Sequence, residues 1–113
     1  MKQVFAFSIA PQVPERPGVY AIQTRSGRHR YVGSTSNLRK RYRDHLSELV
    51  CGIHNNKSLQ KIFNRSRTVL FFRVLEYCKK EELLRLEQTY LDKISIYSSI
   101  HWCNRQNKAG SGH

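Results

Sequence analysis

Glu87 is the residue whose position most needs a chemical explanation. On a helical wheel that starts at Leu83, its carboxylate falls inside the apolar face formed by Leu83, Tyr90, Leu91 and Ile94. A desolvated carboxylate without a partner would cost several kcal/mol there. A divalent cation in a cleft would stabilise it, and so would an arginine or lysine side chain. A third alternative is that the side chain bends to the polar edge of the helix.

Arg41 and His45 are a second pair that could do chemistry. They lie four residues apart, so on a helix they share one face. That face is the margin of an apolar stripe made by Leu38, Tyr42 and Leu49, from which both side chains could reach a cleft. A guanidinium donates paired hydrogen bonds to phosphate, and an imidazole donates to phosphate or carries a proton near neutral pH.

The charge of the chain predicts an anionic partner. Twenty Lys and Arg against eight Asp and Glu give a formal net charge of +12, whereas solubility alone favours a magnitude of roughly 2–8 in a small domain. Nucleic acid is the favoured partner, because neutralised phosphates release counterions. We interpret the basic run of Arg39, Lys40 and Arg43 as DNA-contacting, although a merely solvated basic face has the same composition.

Several other classes of protein are excluded by composition. A chain of 113 residues with 39% hydrophobic content can bury one modest core, so we expect a single domain. There is no apolar stretch of roughly 18 residues and no signal-peptide pattern, so we expect no membrane association and a cytoplasmic location, or the nucleoid or nucleus. Three scattered cysteines argue against a disulfide framework, and His101 with Cys103 makes at most half a metal site.

The apolar pattern predicts the elements that position these residues. Strands are expected at 19–22, 30–32 and 69–75, and helices at 38–50, 58–63 and 81–96. This order suits a small antiparallel or mixed sheet covered by helices. All three prolines lie at 11–17, so we expect residues 1–17 to form an irregular lead-in, 18–106 the domain, and 107–113 a flexible tail or linker.

Two tripeptides carry a family resemblance. Gly18-Val19-Tyr20 and, ten residues later, Tyr31-Val32-Gly33 resemble the strand motifs that name the GIY-YIG nuclease family, with valine for isoleucine at both centres. Tyrosines in strands are usually ordinary packing residues, but here the rest of the pattern follows in order and at similar spacing. Its further positions are Asn37-Leu38, Arg41, His45, Glu87 and Asn104.

The resemblance implies an α/β (α+β) fold with a small three-stranded, mainly antiparallel sheet flanked by helices. It also implies one catalytic site that hydrolyses phosphodiester bonds of DNA, formed by Tyr20, Tyr31, Arg41, His45, Glu87 and Asn104. Glu87 would be the sole protein ligand of Mg²⁺, with Mn²⁺ as an alternative. Gly33 and Ser34 would join the basic run in contacting nucleic acid.

The individual roles follow from the same resemblance. Arg41 would offset charge on the transition state. Tyr20 would be the general base, with His45 as an alternative proton carrier. Tyr31 and His45 would orient water or phosphate, and Asn104 would hold the geometry of the metal site or of a catalytic side chain.

A homing or phage-type endonuclease acting on double-stranded DNA is the first hypothesis, because Ser34 and His45 resemble that branch of the family. The approach VPERPGVY also resembles excision-repair members, so a structure-specific nicking nuclease is an alternative. A restriction-type enzyme and a catalytically silent DNA-binding domain are the others. Because one site cuts one strand, double-strand cleavage would need a dimer or an additional DNA-binding module.

Overall fold

One mixed sheet organises the part of the chain that this computed structural model describes, residues 3–7, 12–27, 29–95 and 101–102. Its strands are β1 (Gln3–Ala6), β2 (Gly18–Thr24), β3 (His29–Thr35), β4 (Leu70–Tyr77) and β5 (His101–Trp102). The spatial order is β1-β4-β2-β3-β5. The first four are antiparallel neighbours, and β5 adds a two-residue parallel pairing at His29 and Arg30 of β3.

The expectation of three strands is therefore wrong by one full strand and one short pairing. The extra strand, β1, lies within the segment 1–17 that we expected to be irregular. Its signal was an alternation, since Val4 is exposed, Phe5 is half-buried and Phe7 is in the core. The prolines that follow are typical of irregular structure and outweighed this signal. Val13, which lies among them, is nevertheless fully buried.

Three α-helices accompany the sheet: α1 (Leu38–Cys51), α2 (Lys57–Arg65) and α3 (Leu83–Leu91). The side chain of Asn37 caps α1 by accepting from the Lys40 amide, and Asn56 caps α2 in the same way at the Leu59 amide. The last predicted helix, 81–96, is broken into a 3-10 turn, α3 and a second 3-10 turn at Asp92–Ser95. None of the described helices is long and apolar enough to cross a membrane.

The sheet separates two cores of different composition. We call the side packed by α1 and α2 the α1 face; it is rich in aromatic rings, among them Tyr20, Tyr42 and Phe72. The opposite side, the α3 face, is aliphatic and contains Val19, Ala21, Val32, Leu75, Leu86 and Leu91. Successive residues of a strand point to opposite faces, which is why the first motif sends Val19 to one core and Tyr20 to the other.

Candidate active site

Gly33 creates the space in which the first-motif tyrosine lies. Tyr20 and Gly33 are directly paired across β2 and β3. A Cβ atom on Gly33 would stand 2.5 Å from the Tyr20 hydroxyl oxygen and 2.6 Å from its Cζ atom. The phenol ring therefore lies across the backbone of β3, where only glycine leaves room for it. This contact is the physical reason why the two tripeptides belong together.

The Tyr20 side chain is held by Phe72, His45 and Arg41. Its ring stacks on Phe72 with centroids 4.8 Å apart, and its hydroxyl lies 2.8 Å from the Nε2 atom of His45. Burial, with a smaller contribution from Tyr31, raises the pKa of Tyr20 far above its usual value, while the charge and hydrogen bond of Arg41 act in the opposite direction. Without further positive charge, Tyr20 is a neutral phenol at physiological pH.

Arg41 connects both motif tyrosines to the surface. It is half-buried and hydrogen-bonds Tyr20 and Tyr31. Burial alone would lower the pKa of Arg41, but Tyr20 and Tyr31 outweigh it, so the pKa is raised and the cation is secure. The guanidinium also lines a cleft of about 330 Å³. The other lining residues are Ser34, Thr35, Ser36, Asn37, Lys40 and Asp44.

His45 is 1% exposed and joins Tyr20 to a second histidine. Its Nδ1 atom lies 2.7 Å from Nε2 of His54, and the two rings stack at 5.0 Å. Burial, then Arg41, then His54 lower the pKa of His45 well below 6.5. Burial and Arg41 lower the pKa of His54 to about 4. Both imidazoles are therefore neutral at pH 7.

Sequence reasoning missed His54. It lies in the loop between α1 and α2, where no periodicity marks it as a core residue. The available signal was its position two residues before a helix-capping asparagine, Asn56, whose amide donates to the Nδ1 atom of His54 at 3.0 Å. The loop is short enough for this contact to fix the ring under α1.

Glu87 is buried as predicted, with 2% of its surface exposed, so the alternative in which it bends to the helix edge is wrong. The Ser34 hydroxyl, itself 1% exposed, donates to Oε1 of Glu87 at 2.6 Å. Ser34 belongs to β3 and Glu87 to α3, so this bond joins the sheet to the helix on the α3 face. The charge of Glu87 is felt by Tyr20 and Tyr31, whose pKa values it raises as one of several smaller contributions.

The two halves of the site meet around the edge of β3. Tyr20 and His45 approach from the α1 face, and Glu87 approaches from the α3 face. Among the described residues, β5 pairs with β3 at His29 and Arg30, two residues or more away from Gly33. The edge at Gly33–Thr35 thus lies between a neutral hydrogen-bonded network and a buried carboxylate.

This arrangement agrees with the comparisons with known proteins. A family profile described as the GIY-YIG catalytic domain matches residues 16–96. The chain belongs to the GIY-YIG family. It is 32% identical over 73 residues to the Intron-associated endonuclease 1 of Enterobacteria phage T4; this match covers 65% of the chain but only 30% of that relative.

Two solved structures of the catalytic domain of the intron endonuclease I-TevI, one of them a point mutant, have the same fold as this GIY-YIG domain. The mutant superposes with a TM-score of 0.66 at 23% identity, covering 81% of this chain and 95% of that one. The other gives 0.64 at 24% identity, covering 77% and 97%. The predicted α+β fold and family are confirmed. The chain is a GIY-YIG catalytic domain whose fold is similar to that of the I-TevI catalytic domain.

Within the described residues of this GIY-YIG domain, two places have donors for a metal ion. The ligand atoms of His45, Glu48 and His54 lie within 4.8 Å of one another, a nitrogen-rich group of the kind that zinc or another transition metal prefers. Magnesium prefers carboxylate oxygen and keeps several waters. Glu87 beside the serine-lined edge of β3 fits that preference better than the two histidines do.

The residues predicted to contact nucleic acid divide into two groups. Ser34 supports Glu87, and Gly33 accommodates Tyr20. Arg39 donates to the Val13 carbonyl at 2.8 Å and lies 3.5 Å from Glu15, so it fixes the N-terminal segment. Lys40 and Arg43 are exposed; Lys40 pairs with Asp44 at 3.0 Å on the rim of the cleft. Asn104 lies outside the described residues, and its role stays a prediction.

Proposed function

We propose that this GIY-YIG domain hydrolyses phosphodiester bonds of double-stranded DNA with a Mg²⁺ ion held by Glu87, as homing and phage-type endonucleases do. The observation that carries the proposal is the burial of Glu87, at 2% exposure, on the opposite side of the β3 edge from Tyr20. A bound divalent ion supplies positive charge to the scissile phosphate and the leaving oxygen. Mn²⁺ is an alternative ion with the same donor preference.

The residues around Glu87 fit such an ion. The Ser34 hydroxyl orients the carboxylate through a short hydrogen bond, in the manner of the supporting groups found behind metal ligands. The aliphatic residues Leu86 and Leu91 on the α3 face lower the local polarity and so strengthen attraction between the carboxylate and a cation. A cation bound here would also add positive charge near Tyr20, and this charge would lower the pKa of the Tyr20 hydroxyl.

Arg41 and Tyr20 are the residues of the chain that would act on the reacting atoms. Arg41, fixed by two tyrosines and open to the cleft, is placed to stabilise negative charge as it develops on the phosphate. Tyr20 would take the proton of the attacking water. Its oxygen is already within hydrogen-bond distance of His45 and receives a second bond from Arg41, and both contacts favour the phenolate.

DNA as the substrate is supported by the net charge of +12 and by the cations at the cleft rim. Lys40 and Arg43 on the exposed side of α1 would contact phosphates and set the position of the duplex without reading its sequence. Binding should weaken steeply with salt, and replacing these two residues should flatten the salt dependence. Cleavage of both strands would need a second copy or an additional DNA-binding module.

The decisive experiment follows supercoiled plasmid through nicked and linear forms. Nicking should require Mg²⁺, stop with EDTA, and fall by at least about 10³-fold in E87A, since metal charge stabilisation is worth several kcal/mol. The matched control is E81Q, which removes an exposed carboxylate just before α3. Metal-independent nicking, or equal activity in E87A and E81Q, would overturn the assignment of Glu87.

Other outcomes distinguish the neighbouring functions. A strong preference for a DNA flap over a plain duplex would favour a repair nicking nuclease. Recurrent cutting at one short sequence would favour a restriction-type enzyme. Tight, salt-sensitive binding without cleavage in either Mg²⁺ or Mn²⁺ would favour a catalytically silent domain, and the proposal of hydrolysis would then fail.

A further inference from the structure

We infer that His54 fixes the tautomer of His45, so that His45 donates a hydrogen bond to Tyr20 and cannot take the proton of Tyr20. His54 is thus a positioning residue for the proposed general base. The tautomer itself is independent of the proposed function, whereas its importance for cleavage rests on that function.

The starting point is a backbone amide. The N–H of Asn56 points at the Nδ1 atom of His54 from 3.0 Å, so Nδ1 must accept and cannot hold a proton. A neutral imidazole holds one proton, which must then be on Nε2. That atom lies 2.7 Å from Nδ1 of His45. His54 therefore donates to His45, because the reverse arrangement would leave His54 with no proton on either nitrogen.

The position of the proton on His45 follows in the same way. Nδ1 of His45 accepts from His54, so the single proton of neutral His45 is on Nε2. Nε2 lies 2.8 Å from the hydroxyl oxygen of Tyr20. The chain of donation is thus Asn56 amide to His54, His54 to His45, and His45 to Tyr20. Both histidines have lowered pKa values and are neutral; for His54 a backbone hydrogen bond of Asn56 acts in the opposite direction, but burial and Arg41 outweigh it.

This direction decides what His45 can do. An imidazole that already has its proton on the side of Tyr20 cannot accept the phenol proton, so the alternative role of His45 as the proton acceptor for Tyr20 is disfavoured. His45 instead stabilises the phenolate together with Arg41. Because His45 cannot take it, the proton of resting Tyr20 would have to pass to a solvent water before the phenolate could accept the proton of the attacking water.

Other groups near the pair do not reverse the assignment. Glu48 lies 3.9 Å from Nε2 of His54, too far for a hydrogen bond. Arg41 disfavours a positive charge on either ring. A transition metal at His45, Glu48 and His54 would have to displace the proton between the rings and push apart nitrogens that are 2.7 Å from each other, since two ligands about 2.0 Å from one ion cannot be so close in tetrahedral geometry.

Nitrogen NMR of the imidazole rings tests the inference directly. In the uniformly ¹⁵N-labelled full chain at pH 7, without DNA, long-range ¹H–¹⁵N spectra should show His45 and His54 protonated on Nε2 alone. A proton on Nδ1 of either ring, or an imidazolium form, would overturn the inference. So would a spectrum of these rings that changes when EDTA is added to the purified protein, because a bound cation would then join them.

Two variants test the consequence for cleavage. H54Q places an amide N–H near the former Nε2 position and should keep the His45 tautomer, with a nicking rate within about threefold of the unmodified chain. H54L has similar bulk but no donor. Nothing would then hold the proton of His45 on Nε2, so the rate should fall roughly 10–100-fold, as is usual when a supporting hydrogen bond is lost, with little change in KM.

The readouts separate this inference from the proposed function. If the predicted tautomers are found but no DNA is cut, hydrolysis fails and the hydrogen-bond direction stands. If the chain cuts DNA while either ring has its proton on Nδ1, the inference fails and hydrolysis stands. If H54L unfolds, the spectrum of the unmodified chain still tests the tautomer of His45, and the rate of H54Q still tests the positioning role of His54. An H54Q rate as low as that expected for H54L would count against the positioning role.

Discussion

The two faces of the sheet solve the problem of a buried polar group in opposite ways. On the α1 face, Tyr20, His45 and His54 share their hydrogen bonds in a row and are all neutral. On the α3 face, Glu87 lies among aliphatic residues with Ser34 as a donor. The row is neutral, so its contribution to folding comes from hydrogen bonds. The carboxylate on the α3 face is, in addition, a group to which a divalent cation can bind.

The largest expected effect contrasts one substitution at the candidate site on each face. E87Q should reduce Mg²⁺-dependent nicking by about 10³-fold but keeps an oxygen that can accept from the Ser34 hydroxyl, so the free energy of unfolding should change little. Y20F should reduce both, costing roughly 1–3 kcal/mol because His45 loses its acceptor. Urea denaturation and plasmid nicking on the same preparations measure the two quantities. Equal losses of stability in both variants would erase the contrast between the faces.

The second effect is the dependence of stability on pH. The pKa of His45 is lowered and that of His54 is lowered to about 4, both below the unfolded value near 6.5. In this range the unfolded chain binds more protons, so the contribution is complete above pH 6.5 and is lost as the pH falls towards 4. Between pH 7 and pH 5 the loss should be about 2 kcal/mol for His54, and His45 should add a loss in the same direction.

Denaturant titrations at several pH values measure this loss, and H54Q serves as the control. Because H54Q removes one of the two histidines, its free energy of unfolding should depend less steeply on pH. A free energy of unfolding that is flat between pH 7 and pH 5 would mean that the histidines are already charged in the folded state.

A smaller effect tests how the motifs depend on each other. G33A places a methyl group against the Tyr20 ring, and such overpacking typically costs about 1–3 kcal/mol. The control is G27A in the turn between β2 and β3, where Gly27 has a φ of 75° and alanine costs roughly 1–2 kcal/mol through backbone strain alone. Both variants should be less stable, but nicking should fall in G33A only. Full nicking by folded G33A would show that the Tyr20 position is not critical.

The smallest effect concerns the support of Glu87. S34A removes the hydroxyl that donates to Glu87 at 2.6 Å, so the Mg²⁺ concentration for half-maximal nicking should rise roughly tenfold. S36A, an exposed serine lining the same cleft, should leave it unchanged. An unchanged metal requirement in S34A would place the cation elsewhere, with His45, Glu48 and His54 as the next group to test.

Sequence alone predicted the elements that have a clear period. The stripe of α1, the burial of Glu87 and the pairing of the two tripeptides were all visible as spacing. It did not predict β1, because four residues followed by prolines give too little alternation to outweigh the breakers. Nor did it predict the bond between Ser34 and Glu87 or the place of His54, since both depend on contacts between elements distant in sequence.

The N-terminal strand β1 covers one backbone edge of β4. β1 pairs with β4 from Gln3 to Ala6, and the Tyr42 hydroxyl of α1 holds it by donating to the Ala6 carbonyl at 2.7 Å. A shortened chain beginning at residue 16, where the family match begins, would uncover the backbone amides and carbonyls of β4. Open strand edges recruit other chains. Such a truncation should therefore self-associate through β4 more readily than the longer chain, in which β1, the outermost described strand on that side, has four residues.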